Sequence, residues 1–160
     1  HEFKNIQKTS IINFRLHPDD NLLEVSDMNS TENMKSMALS DLSSRLNLPD
    51  LTYKEITDDD INRFDENADQ ITHERREGDT ATTALTRSRK DGDVRDEELR
   101  SQLELREFRK EQGYIRLNDG VEGNVSLKRG EEGEIRITGY TLPHNKIRIA
   151  HVVYEMLGWI

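Results

Sequence analysis

From Tyr114 onward the chain settles into a period of two. YIRLN (114–118) alternates apolar and polar residues, NVSLKR (124–129) does so again, and EIRITGY (134–140) a third time. Successive side chains of a strand point to opposite faces, so each stretch can bury one face and wet the other. Asp119-Gly120 separates the first two stretches and is a strong turn signal, because Gly supplies the positive φ that tight hairpins need. GEEGE makes the next connection. The pattern predicts a small antiparallel meander of two or three strands.

The earlier half keeps helical spacing instead. Asn29 and Glu32 are set as a capping box, and Met34, Met37, Ala38, Leu42 and Leu46 recur behind it as an apolar stripe stopped by Pro49. Thr57 before Asp58, Asp59 and Asp60 is a second helix start, with acids suited to the positive end of the helix dipole. Ile61, Phe64, Ala68 and Ile71 then fall on one face. Residues 93–112 read as a third helix, capped by Asp93, edged by Leu99, Leu103 and Phe108, and closed by a left-handed Gly113. At the end of the chain, Ile149, Val153, Met156 and Leu157 suit a helix closed by Gly158. Ile147, Ile149, Val152 and Val153 would equally suit a strand. A strand-to-helix transition near Ala150 is expected, with residues 146–150 open to either state. The fold class is therefore α+β.

Two stretches lack sustained apolar periodicity. Residues 17–28 look like a loop behind the short strand-like phrase KTSIINFRL, and residues 73–92 look like a flexible polar linker. The expected organisation is a flexible N-terminal segment (1–28), an acidic helical segment (29–72), the linker (73–92) and a small α+β domain (93–160). The first half is thus expected to be long, acidic and partly disordered. Only 32% of the chain is hydrophobic against 34% charged, which leaves little core material for its length.

Charge is unevenly spread. Residues 17–70 hold 14 Asp/Glu against 4 Lys/Arg, a net of −10, whereas the whole chain carries −9. Such a segment repels phosphate backbones and attracts basic partners. Without cysteine there is no disulfide, thiolate metal site or Cys nucleophile. No apolar run is long enough for a membrane span. The opening HEFKN reads as a cloning remnant rather than a targeting signal, so His1–Phe3 are set aside. An intracellular setting is expected, cytoplasmic or nuclear.

MALSDLSSRLNLPD (37–50), the Glu97–Gln112 helix with Gly113-Tyr114, and strands around Ile115 and Ile135–Ile137 follow a helix, helix-turn-helix, β-hairpin order. In that order the chain resembles the winged-helix branch of the helix-turn-helix superfamily. The resemblance implies a recognition helix offering Arg100, Arg106, Arg109 and Lys110 to nucleic acid. Two departures accompany it: a long insertion between Asn67 and Asp93, and Glu97, Glu98, Glu104, Glu107 and Glu111 interleaved with those bases. The GYIRL…KIRIAHVVYEMLGWI order also resembles the segment leading into the active site of phage-type HNH nucleases, whose catalytic motif is absent here.

Other constellations have plainer explanations. TDDDINRFDENAD spaces Asp58, Asp60, Asn62 and Asp69 somewhat like a calcium loop, but Arg63 occupies the position where that loop needs Gly, and a capped helix accounts for the same residues. His144, His151 and Glu155 match no metal motif, and His151 reads as a packing residue. Arg87, Arg89 and Lys90 form a compact basic cluster, read as a solvated loop or a modification-sensitive contact. No metal or cofactor is expected. The reading is a non-catalytic protein-interaction module that engages a basic partner through Met34, Met37, Leu42, Leu46, Asp58, Asp59, Asp60, Ile61 and Phe64. The alternatives are a nucleic-acid-binding module, not acting through the acidic half, or a fragment of a nuclease-type protein.

Overall fold

The turn residues Pro18–Asn21 organise the first part of the chain. In a computed structural model, residues 11–28, 32–80, 84–88, 92–96, 106–139 and 141–160 are described. The chain divides into two compact units, His1–Thr52 and Tyr53–Ile160. In the first, β1 (Ile11–His17) and β2 (Leu22–Met28) pair antiparallel around a 3-10 turn at Pro18–Asp20, with Asn21 left-handed at φ 50°. Leu16 faces Leu23 and Phe14 faces Val25 across the ladder, while Arg15 and His17 lie near Glu24. Residues 17–28, expected as a flexible loop, are thus the turn and second strand of a hairpin. The turn chemistry is visible in the sequence, but the second strand needs its partner to be seen. One continuous helix follows, α1 (Glu32–Leu46), ended by Asn47 at φ 55° before Pro49. Its expected cap, Asn29, lies outside the described residues.

The second unit starts where Thr57 predicts. The Thr57 side chain accepts from the Asp60 N–H, and the Asp60 carboxylate accepts from the Thr57 N–H at 2.9 Å. This capping box opens α2 (Asp58–Asn67). The chain then forms β3 (Gln70–Glu77), β4 (Ala84–Ser88), a 3-10 turn at Val94–Asp96, β5 (Phe108–Arg116), β6 (Glu122–Lys128), β7 (Glu134–Thr138) and α3 (Pro143–Leu157). The five strands build one antiparallel sheet in the order β4-β3-β5-β6-β7. With three helices and two antiparallel sheets among the described residues, the fold class is α+β.

Four expectations change here. Residues 73–92, read as a linker, supply most of β3 and all of β4, with 81–83 and 89–91 outside the described residues. The helix expected over 93–112 is instead a short turn at its start and strand from Phe108, with 97–105 outside the described residues. The sheet has five strands, not two or three, and β6 lies between the presumed wing strands β5 and β7. Residues 143–157 are helical throughout, without a strand before Ala150. Pro143 is tolerated in the first turn because its missing N–H has no intrahelical partner there. The buried stripe Ile149, Val153 and Leu157 outweighs β-branching. Gly158 closes the helix at φ 72°, as expected.

Both helices of the unit pack on one face of this sheet. α2 meets α3 and β5, and α3 meets β7. Ile61, Phe64, Ala68 and Ile71 join Phe108, Ile115, Val125, Leu127, Ile149, Val153 and Leu157 in the core. Gly113 is not a helix cap. It lies within β5, where an added Cβ would stand 2.2 Å from the Gln70 carbonyl oxygen on β3. The close approach coincides with a register shift between Ile71 and His73. Replacing Phe64 with Ala is expected to remove about 3–5 kcal/mol of stability. Gly113→Ala should lower the melting temperature of the unit as well, because a backbone atom must move. Thermal denaturation followed by circular dichroism checks both.

Candidate functional site

The sheet treats its charges in two ways. On the helix-covered face, Glu74 of β3 stands opposite Glu111 of β5, and both are almost fully buried. A buried carboxylate is tolerable only with a charged or hydrogen-bonding partner. Glu74 receives the guanidinium of Arg76 on one oxygen and that of Arg87, at 2.6 Å, on the other. Arg76 also lies 3.7 Å from the centroid of the Phe108 ring and donates to the Arg106 carbonyl oxygen. At the rim, Glu77 accepts from Arg109 at 2.7 Å and Arg129 at 2.6 Å, and Arg129 reaches Glu107. The Arg109 hydrogen bond holds the Glu77 carboxyl below its ordinary range.

The opposite face carries unbalanced charge. Cross-strand partners share a face of a sheet, so the registers sort this side into rows. One row is Arg75, Lys110, Lys128 and Glu134, and the next is His73, Gln112, Ser126 and Arg136. A third is Gln70, Tyr114, Asn124 and Thr138. Arg75, Lys128 and Arg136 are exposed, and the others named here from β5 and β6 are half-buried between neighbours. Arg136 pairs with Glu134 at 2.9 Å. Among the described residues, no carboxylate forms an ion pair with Arg75, Lys110 or Lys128. Burial lowers the pKa of His73, and the adjacent Lys110 and Arg75 lower it further.

The character changes at the far end of the face. An open cleft of about 420 Å³ is lined by Asp69, Gln70, Gly92, Asp93, Tyr114, Arg116 and Glu122. Its polar groups are engaged with one another. Arg116 binds Glu122 at 2.6 Å, the Gln70 amide donates to the Gly92 carbonyl, and Asp93 holds Arg95. Burial pushes the Asp93 carboxyl up, but the hydrogen bonds from Arg95 and from the Ile71 N–H outweigh it and hold it low.

The sequence-predicted site residues are scattered. Ile61 and Phe64 are fully buried core residues and not exposed partner contacts. The helical spacing that selected them marks the face turned inward. Asp60 completes the capping box and accepts from the Trp159 indole N–H at 3.2 Å, and Asp58 accepts from the Phe108 N–H. Asp59 alone of the three is exposed. In the other unit, Met34, Met37 and Leu46 are exposed on α1 and Leu42 is half-buried. Of the four presumed nucleic-acid contacts, Arg100 lies outside the described residues, and Arg106 and Arg109 are engaged with Asp79 and Glu77. Lys110 alone lies in the cationic row, on a strand. Arg87, read as part of a loop, is turned into the Glu74 pair, and Arg89 and Lys90 lie outside the described residues. His151 is exposed and meets Glu155 at 3.0 Å. No cluster of three or more potential metal ligands occurs among the described residues, and no helix among them is long and apolar enough to cross a membrane.

Comparison with known protein families, curated proteins and solved structures finds no match. The face must be judged by its own chemistry. His73 is expected to titrate below the ordinary value of about 6.5, and removing one cation by Lys110→Gln should raise its pKa. Because the folded state disfavours protonated His73, its contribution to stability grows as pH rises toward the unfolded value. Imidazole NMR titration of the parent and Lys110→Gln checks the direction.

Proposed function

We propose that the Tyr53–Ile160 unit is a non-catalytic nucleic-acid-binding module that uses the face of its sheet opposite α2 and α3. The observation that carries this reading is the contrast between the two faces. Arg76 and Arg87 inside, and Arg109 and Arg129 at the rim, are matched to carboxylates, whereas among the described residues Arg75, Lys110 and Lys128 are not. Side-by-side cations repel one another, and the row's one acid, Glu134, is paired with Arg136, so three adjacent cations without an ion pair are an arrangement that a polyanion relieves. Around the row stand Gln112, Asn124, Ser126 and Tyr114, which offer hydrogen bonds without negative charge. The unit as a whole carries 24 acids against 18 bases, a net of −6. Attraction is therefore local to the face, at ranges comparable with the Debye length of about 10 Å at 0.1 M salt.

A second reading is favoured by α1. Met34, Met37 and Leu46 are exposed on a helix, which suits docking of its apolar edge into a groove of a protein partner. This adaptor role belongs to the first unit and is compatible with nucleic-acid binding by the second.

Retention on heparin or DNA-cellulose at about 50 mM salt, where charge screening is weak, tests the main reading. The protein is expected to be retained. Lys110→Gln with Lys128→Gln should elute earlier and flatten the salt dependence by about one phosphate contact per residue. Passage of the parent through the column at low salt would overturn the reading.

A further inference from the structure

The face opposite α2 and α3 offers positive charge at one end and neutral hydrogen-bonding groups behind it, and that order constrains the form of nucleic acid it takes. This inference rests on the nucleic-acid reading above. We propose that the face binds a short stretch of single-stranded nucleic acid, with Arg75, Lys110 and Lys128 holding its backbone and Tyr114 and His73 stacking two of its bases.

A duplex fits the face poorly. Its major groove admits an α-helix or a two-stranded ribbon, whereas this face belongs to a five-stranded sheet. Duplex phosphates alone could then touch it, and the rows behind the cations would meet no base. Unpaired bases have no such limit, because they splay out and stack on exposed rings.

The rows match what a single strand presents. Arg75, Lys110 and Lys128 lie on neighbouring strands, so they span about 10 Å, room for about two or three phosphates. The row ends at Glu134, which is paired with Arg136, and the backbone track ends there too. Gln112 and Ser126 stand one step of about 7 Å behind the cations, and Tyr114 and Asn124 one step further. Among the described residues, the side chains of these four make no hydrogen bond to another protein group. At the far end Asp69, Asp93 and Glu122 border the cleft. Carboxylates there repel a second backbone but accept from base amino groups. Backbone and bases are thus directed to opposite ends of the face.

Two rings stand where the bases fall. His73 is the cross-strand partner of Gln112, and Tyr114 lies two residues beyond Gln112 on β5. Such diagonal neighbours are about 7–8 Å apart, well beyond the rise of about 3.4 Å between stacked bases of a duplex strand. Consecutive bases reach both rings only when their own stack is opened. Both residues are half-buried, so each ring is held by its neighbours and still reachable. Burial and the nearby Lys110 and Arg75 disfavour protonated His73, which therefore meets a base as a neutral ring. Asn124, directly across from Tyr114, sets an amide donor and acceptor beside the stacked base.

The test uses labelled probes of one sequence: single-stranded DNA, single-stranded RNA, duplex DNA, and single-stranded DNA whose bases are replaced by abasic sites. Each intact single strand is expected to bind at least about tenfold more tightly than the duplex or the abasic strand. Its log–log salt slope should be close to −2, for about three neutralised phosphates. RNA bound more tightly than DNA would assign 2′-OH contacts to the same site. Tyr114→Ala should weaken the intact strands by about 5- to 100-fold, and Tyr114→Phe should stay within about threefold of the parent, because the ring and not the hydroxyl is used. Neither should alter binding of the abasic strand. Lys128→Gln should weaken all probes alike. The His73 imidazole signals should shift with the intact strands and not with the abasic one. Amide spectra of each variant establish that it is folded. Equal or tighter binding of the duplex or the abasic strand would overturn this inference while leaving the nucleic-acid reading intact. So would binding of the intact strands indifferent to Tyr114→Ala. Binding to none of the probes would remove the underlying reading as well.

Discussion

The pairing of β3 with β5 is the junction on which the larger unit depends. It joins the edge hairpin β3–β4 to the meander β5–β6–β7 and so makes one five-stranded sheet out of two pieces. The junction is not regular. Register shifts interrupt it between Ile71 and His73 and between Arg75 and Arg76, and Gly113 allows the backbone of β3 to come close where a side chain would collide. These irregularities decide which residues face inward. They turn Ile71, Glu74 and Arg76 toward the core while leaving His73 and Arg75 on the other side. A slip by one residue would exchange the faces.

That choice has an electrostatic cost, because Glu74 and Glu111 are brought face to face in the interior. Removing one partner of a buried ion pair typically destabilises by about 3–5 kcal/mol. The inner cluster therefore acts as a constraint on register: Arg76 and Arg87 reach Glu74 only when β4, β3 and β5 are aligned as observed. Arg76 serves twice, since its guanidinium also covers the Phe108 ring. The same alignment puts Arg75 beside Lys110 and Lys110 beside Lys128 outside. Internal pairing and external cationic row thus follow from one register.

This arrangement reconciles a chain of net charge −9 with a local row of three adjacent cations. Net charge sums over the sequence, whereas a docking partner meets a face. Some acids of this unit are engaged in the α2 cap, the inner cluster and the rim network, and others, such as Glu66, Glu131 and Glu132, are exposed elsewhere. Among the described residues, three bases without an ion pair, Arg75, Lys110 and Lys128, lie side by side on three neighbouring strands.

Much of the local structure was legible in the sequence. The Thr57 capping box, the Asp119-Gly120 turn, the three alternating stretches and the Gly158 cap all act within a few residues, so their physics is contained in the local chain. β3, β4 and the start of β5 were not legible. QITHERRE and FRKEQGYIR bury charged residues and are read through bulges, so their inward positions break the apolar alternation that marks a strand. A charged residue reads as solvent-facing until its partner is known, and the partners of Glu74 include Arg87, thirteen positions away. For the same reason Ile61 and Phe64 looked available to a partner, although the sheet that covers them is built largely from residues far along the chain. The sequence by itself determined which residue types were present and which short segments could cap, turn or alternate. Tertiary structure alone decided the faces, because a cross-strand neighbour is set by register between distant segments, and so it alone put Arg75, Lys110 and Lys128 side by side.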